Sequence, residues 1–243
     1  MATRLVVLVV ASLALSAPAL AITGGTVDGA AHPGVGMLLA DRGDGPEPAC
    51  SGSLISPTVF LTAGHCTAGL ASSRVWVTFD PQYTSTSALL SGTATTDPLF
   101  GQDEKDTHDL AVVVLDAPVS GIAPYSLPRL KYLKDDVDDW GTVIAVGYGA
   151  DQPASSKKNP TFHFDYTRRY GTADVEKVKK FEVKMSTRNG GVCHGDSGGP
   201  ELAGTTVIAV TSWGDVQCAK TAFGYRVDTP GARAFLGQFV RLP

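Results

Sequence analysis

Six consecutive residues, Gly195-Asp196-Ser197-Gly198-Gly199-Pro200, hold the strongest chemical potential in this chain. Glycines around a serine remove the Cβ atoms that would keep another backbone away. Successive amides in such a tight turn can aim their N–H groups at one point and hold an anion. The combination suits an attacking hydroxyl beside an anion hole, although glycine-rich turns without function are equally common. A serine hydroxyl is barely ionised near neutrality, so it needs a base, and the base needs a third group to orient it. Of the five histidines, His65 follows the apolar run of Leu61-Thr62-Ala63-Gly64-His65-Cys66 and adjoins a cysteine that could fix its backbone. Asp109 heads the apolar stretch Leu110–Leu115, where a partly desolvated carboxylate requires a hydrogen-bonded partner. Asp106 is a nearby rival that lacks this position. His108 and His194 read as exposed neighbours of the motifs, and His32 and His163 as surface residues.

The elements that must carry these groups are short β runs. Val35–Leu39, Ser53–Ile55, Val59–Thr62, Arg74–Phe79, Leu110–Leu115, Val143–Gly147, Phe181–Met185, Thr206–Trp213 and Phe223–Val227 are rich in Val, Ile, Thr and aromatics and are punctuated by turn residues. Many short strands without alternating helices predict an all-β barrel or sandwich. One helix is predicted near the C-terminus: Thr229 caps it, Pro230 suits its first position, and Ala232, Phe235, Leu236, Phe239 and Val240 recur near helical spacing. The polar segment Leu127–Asp139 divides the strands into two sets and reads as a solvated linker rather than a calcium loop. Lys157–Lys184, with eight basic and four acidic residues, reads as a mobile surface loop plus a strand.

Composition narrows the function classes. The 243 residues are 43% hydrophobic and 18% charged, which excludes disorder, and a net charge of −4 gives no field for nucleic acid. Residues 1–21 read as a signal peptide: one early positive charge, the apolar run Leu5–Ala17, then small residues in Ala19-Leu20-Ala21. The run is too short for a stable membrane span. Secretion makes disulfides of the four cysteines, Cys50, Cys66, Cys193 and Cys218; four allow three connectivities, and local pairing would close two short loops. Cys and His spacings do not fit zinc, and no metal or cofactor is expected.

Ile22-Thr23-Gly24-Gly25, Leu61–Cys66, Asp109–Leu115, Gly195–Pro200 and Ser212-Trp213-Gly214 together resemble the hallmark segments of the chymotrypsin/trypsin family, in family order and across residues 22–243. Bacterial secreted members are the most similar in appearance. The resemblance implies two packed antiparallel six-stranded β-barrels with a C-terminal helix, the first over about residues 22–128 and the second over about 140–243. It implies a secreted serine endopeptidase in which Ser197 is the nucleophile, His65 the base and Asp109 its orienter. The amides of Gly195 and Ser197 would form the oxyanion hole, and Ser212, Trp213 and Gly214 would bind substrate backbone. Disulfides Cys50–Cys66 and Cys193–Cys218 match the family. An Ile22 α-amine, freed by signal cleavage, would pair with Asp196 and order the oxyanion loop. Protein or peptide substrates, protein inhibitors and a monomeric state follow from the same resemblance.

Three departures bear on specificity. Gly191 stands where trypsins place a pocket aspartate, Val192 beside it is apolar, and Phe223 aligns with a pocket wall that is often glycine. A neutral pocket, narrowed by Phe223 and not selective for Arg or Lys, is the expectation. A catalytically silent protease-fold binding protein is the rival from another class, and an esterase with the same machinery a third reading.

Overall fold

A computed structural model describes residues 22–243 apart from 44, 136, 153, 154, 157, 189 and 190. The signal-peptide segment 1–21 and Asp136 of the acidic run lie outside the described residues. In chain order the strands are β1 (Thr26–Val27), β2 (Val35–Asp41), β3 (Pro46–Ser56), β4 (Val59–Thr62), β5 (Arg74–Thr78), β6 (Leu90–Thr96), β7 (Ala111–Leu115), β8 (Val137–Gly147), β9 (Arg169–Val178), β10 (Glu182–Ser186), β11 (Pro200–Ala203), β12 (Thr206–Gly214) and β13 (Thr221–Arg226). Helix α1 (Pro230–Leu236) follows. Strands β2-β3-β4-β7-β6-β5 close one antiparallel barrel. Strands β9-β10-β13-β12-β11-β8 form the second, closed by β8 pairing with β9.

Burial explains why these runs became strands. Leu38, Leu54, Phe60, Leu61, Val112 and Val113 fill the first barrel, and Val143, Val175, Val183 and Ile208 the second. The first core continues without a break through Val146, Tyr148, Val207 and Val210 to Phe235 and Leu236 of α1. The two barrels are therefore held by shared apolar burial, worth roughly 25 cal/mol per Å². A buried cation reinforces the seam. Arg168 donates to Asp28 at 2.8 Å, to the carbonyls of Gly29, Val35 and Phe79 at 2.8, 3.1 and 2.9 Å, and to the Tyr148 hydroxyl at 3.1 Å. Burial alone would raise the Asp28 carboxyl, but hydrogen bonds from His32 and Arg168 hold it below the ordinary range.

Thr229 caps α1 as expected, its hydroxyl accepting from the Ala232 amide at 3.2 Å. The helix ends at Leu236, so Phe239 and Val240 lie in the turn beyond it. Both local disulfides are present, Cys50–Cys66 and Cys193–Cys218.

The structure corrects several readings of the sequence. Residues 22–27 belong with the second barrel, not the first: β1 pairs with β9, and Thr23 bridges Gly191. The supposed mobile loop within Lys157–Lys184 contains β9, whose outward charges alternate with buried Ala173, Val175 and Val178. The linker is anchored rather than merely solvated. Leu133 N–H donates to Asp228 at 2.7 Å, Asp135 accepts from Arg226 at 2.6 Å, and β8 begins at Val137.

Candidate active site

The site forms where the two barrels meet. β4 leads into a 3-10 turn, Gly64–Cys66, that carries His65. Gly64 permits the approach to β7, because a Cβ there would stand 3.1 Å from both the amide N and the carbonyl O of Leu110. Asp109, just before β7, is only 3% exposed. Its carboxylate accepts from the His65 backbone amide at 2.8 Å, from His65 Nδ1 at 2.9 Å and from the Ser212 hydroxyl at 2.5 Å. Burial pushes this carboxyl up, but the His65 ring, the Ser212 hydroxyl and the His65 amide together hold it below the ordinary carboxylate range. Asp109 is thus the ionised partner of the imidazole. Asp106 instead accepts from the Tyr225 hydroxyl at 2.6 Å.

Ser197 reaches the same place from the second barrel. Its turn is clamped to the first: the Ser51 amide donates to the Ser197 carbonyl at 2.8 Å, and the Ser51 hydroxyl to the Gly195 carbonyl at 2.9 Å. Gly198, at φ +82°, fits so tightly that a Cβ would stand 2.1 Å from Thr62 Oγ1. The Ser197 carbonyl consequently lies 3.8 Å from Cys66 Sγ, one residue from His65. Within the turn, the amides of Asp196, Gly198 and Gly199 donate to Cys193, Thr211 and Asp196. Those of Gly195 and Ser197 have no acceptor among the described residues, nor is the Ser197 hydroxyl bonded to His65.

Asp196 is fully buried, accepting the Gly149 amide at 2.8 Å and the Cys193 amide at 2.9 Å. Burial pushes its carboxyl up to about 7 against the pull of these two bonds. Gly147 and Gly149 make room for it, since a Cβ on Gly147 would meet Asp196 Oδ1 at 2.2 Å. Ile22 is buried too, in the second core, and Thr23 exchanges hydrogen bonds with Gly191 at 2.8 and 2.9 Å.

Beside Ser197 a cavity of about 230 Å³ is lined by Val192, Thr211, Ser212, Trp213, Gly214 and Ala222, among others. Gly191 and Phe223 are not in its lining. Phe223 stacks on Trp213, with ring centroids 3.9 Å apart and planes 12° from parallel, and braces the indole rather than narrowing the cavity. Phe223 is in register with Trp213 across the irregular β12–β13 pairing, and its ring lies against the indole. Trp213 stays 49% exposed, with Nε1 donating to Glu182 at 2.8 Å. Asp215, unremarked in the sequence, sits at the cavity rim with its oxygens accepting the amides of Ala219, Lys220 and Thr221. A second cavity of about 230 Å³, lined by Met37, Pro48, Ala49, Tyr148 and Phe164, opens on the other side of Gly195.

Sequence reasoning missed Ser51, which no motif marks, and misjudged His108. Its side chain is 12% exposed, with Nδ1 3.2 Å from Asp97 and Nε2 3.4 Å from Asp106. His32 is likewise paired, with Asp28; His163 and His194 are exposed, although His163 Nδ1 lies 2.7 Å from Asp151. Among the described residues the only close group of potential metal ligands is Cys50, His65 and Cys66, and its two sulfurs form a disulfide.

Known proteins share this architecture. A trypsin from Saccharopolyspora erythraea is 29% identical over 215 residues, covering 86% of this chain and 89% of the relative. Human kallikrein-2 is 28% identical over 70% of this chain and 71% of its own length. Among solved structures, HL collagenase superposes with a TM-score of 0.67 at 20% identity, over 88% of this chain and 95% of that one. Neuropsin, a serine protease expressed in the limbic system of mouse brain, gives 0.62 at 20% identity, over 81% and 90%. The family model described as Trypsin matches residues 22–234, and with that match the chain belongs to the trypsin family and is a serine endopeptidase.

Proposed function

We propose that Ser197, His65 and Asp109 are the catalytic triad of a secreted endopeptidase. The Ser197 hydroxyl attacks the scissile carbonyl while His65 Nε2 takes its proton, and the tetrahedral oxyanion sits against the amides of Gly195 and Ser197. Collapse expels the amine, which leaves with the proton from His65. Water then cleaves the acyl-enzyme by the same route in reverse. Asp109 keeps Nδ1 protonated, so Nε2 is the free acceptor. Ser212, Trp213 and Gly214 at the end of β12 offer an edge to the substrate backbone.

The observation that supports this reading is the division of labour among the turn's amides: three are spent inside the protein, and those of Gly195 and Ser197 have no acceptor among the described residues. The Ser197–His65 bond forms when substrate binds, as catalytic bonds that are open in the unliganded state commonly do. A serine-reactive phosphonate should label the protein at Ser197 and fail on Ser197→Ala. No labelling of the correctly folded wild-type chain overturns the reading.

The side-chain cavity beside Ser197 is read as neutral toward substrate. Gly191 brings no charge, and the carboxylate of Asp215 is occupied by its own loop. Export and maturation are read as one event. Signal cleavage before Ile22 frees an α-amine that pairs with Asp196, a buried carboxyl that otherwise has two backbone donors and no counter-charge among the described residues. N-terminal sequencing of the secreted protein should begin Ile-Thr-Gly-Gly; any other start overturns this step.

A further inference from the structure

Glu201 follows the nucleophile turn directly, in β11, and is fully buried. Its Oε1 accepts from the Thr211 hydroxyl at 2.8 Å, and its Oε2 has no hydrogen-bond partner among the described residues. An unpaired buried polar atom forfeits its hydration without return, so natural cores hold few of them. The strand neighbours of Glu201 in register are Ala145 and Ala209. Opposite lies Gly224, where a Cβ would stand 3.2 Å from Glu201 Cγ. The bare glycine makes the space that the carboxyl side chain occupies. Burial pushes Glu201 up to about 8; the Thr211 bond opposes this, and the buried Asp196 adds to it.

The location gives this orphan a use. Thr211, which holds the carboxyl, lines the cavity beside Ser197, and so does Ala222, on the same face of β13 as Gly224. The carboxyl therefore lies one hydroxyl group behind the cavity wall.

We propose that Thr211, backed by the buried carboxyl of Glu201, forms the polar floor of the substrate side-chain cavity, and that the enzyme favours a primary amide, glutamine or asparagine, at the residue before the scissile bond. This rests on Ser197 being the nucleophile, which makes the adjoining cavity the site for that residue. A carboxyl that keeps its proton offers one donor and one acceptor, the complement of a primary amide. A hydrocarbon side chain leaves Oε2 unpaired, and sites built to hydrogen-bond a substrate discriminate strongly against analogues that cannot. A cation is disfavoured because it would require ionising Glu201 near Asp196 in the same low-polarity interior.

Matched peptides with glutamine or methionine before the scissile bond differ little in size but differ in the amide. At pH 6.5, glutamine should be favoured by about ten-fold or more in kcat/KM. Glu201→Leu should bring the ratio near one by slowing the glutamine peptide alone, and Glu201→Gln, which keeps a donor and an acceptor, should retain the preference. Thr211→Val, with Glu201 in place, should also reduce it, which covers the case in which Glu201→Leu does not fold. An unchanged ratio in folded Glu201→Leu or Thr211→Val overturns the assignment, as does a wild-type preference for lysine over both peptides. Phosphonate labelling of the same preparations separates the two levels. Label without amide discrimination overturns the floor alone, and no label overturns the nucleophile and the floor together.

Discussion

Two buried acids, one on each barrel, divide the site into halves with opposite electrostatics. Asp109 on the first barrel receives an imidazole, a hydroxyl and an amide, and is held ionised. Asp196 on the second is at least as deeply buried, receives two amides and no cation, and is pushed up to about 7. Burial acts alike on both, so the difference lies in the donors. The His–Asp half has its imidazole partner as folded, whereas the serine half holds a carboxyl with two backbone donors and no cation among the described residues. That contrast is what covalent maturation at Ile22 would act on.

The largest expected effect breaks the completed half. Asp109→Asn should lower kcat on an amide substrate by about 10⁴-fold with little change in KM, because the imidazole is left in the wrong tautomer. Steady-state kinetics on a peptide amide checks it. The second prediction sharpens the contrast through pH. In a Ser197→Ala chain that retains its leader, Asp196 and Glu201 hold protons in the folded state to about 7 and about 8, against ordinary values of 3.8 and 4.5. The unfolded chain gives up those protons first, so stability should be full below pH about 4 and decline up to pH about 8. Thermal melts across that range should show the decline, and Asp196→Asn should flatten it, leaving the part due to Glu201. In a chain beginning at Ile22, pairing should keep Asp196 ionised, and the loss should move to the alkaline side, where the raised amine deprotonates.

Third, Phe223→Ala should cost about 3 kcal/mol of stability through lost burial and stacking. Substrate preference should not change, since Ala222 rather than Phe223 faces the cavity; a widened preference would restore the wall reading. The smallest effect is Ser212→Ala. Losing one of three donors to Asp109 should lower kcat/KM by about ten-fold, with rescue by Ser212→Thr.

Most of this was legible where physics is local. The β-branched runs Val59–Thr62 and Ala111–Leu115 are strands because both faces are largely buried, and their composition says so. Leu90–Thr96 was not, since its Ser, Thr, Gly and Ala residues gain strand character only from β5 and β7 on either side. Arg169–Val178 hid behind its charges for the same reason. Asp109 could be chosen over Asp106 from its position before an apolar run. Ser51 and Glu201 could not be singled out, because their roles depend on partners 144 and 10 residues away. The contact of Phe223 with Trp213 could not be read either, because it depends on the register of β12 against β13.

The fit of Gly198 against Thr62 has a consequence for assembly. The Ser197 hydroxyl, the proposed nucleophile, sits on one barrel, but its turn is fitted against a wall of the other. A nascent chain whose halves have folded without docking carries every functional group and no working arrangement of them. On the proposed triad, proteolytic power would be withheld from incompletely assembled copies and would arise in the same event that buries the seam between the halves.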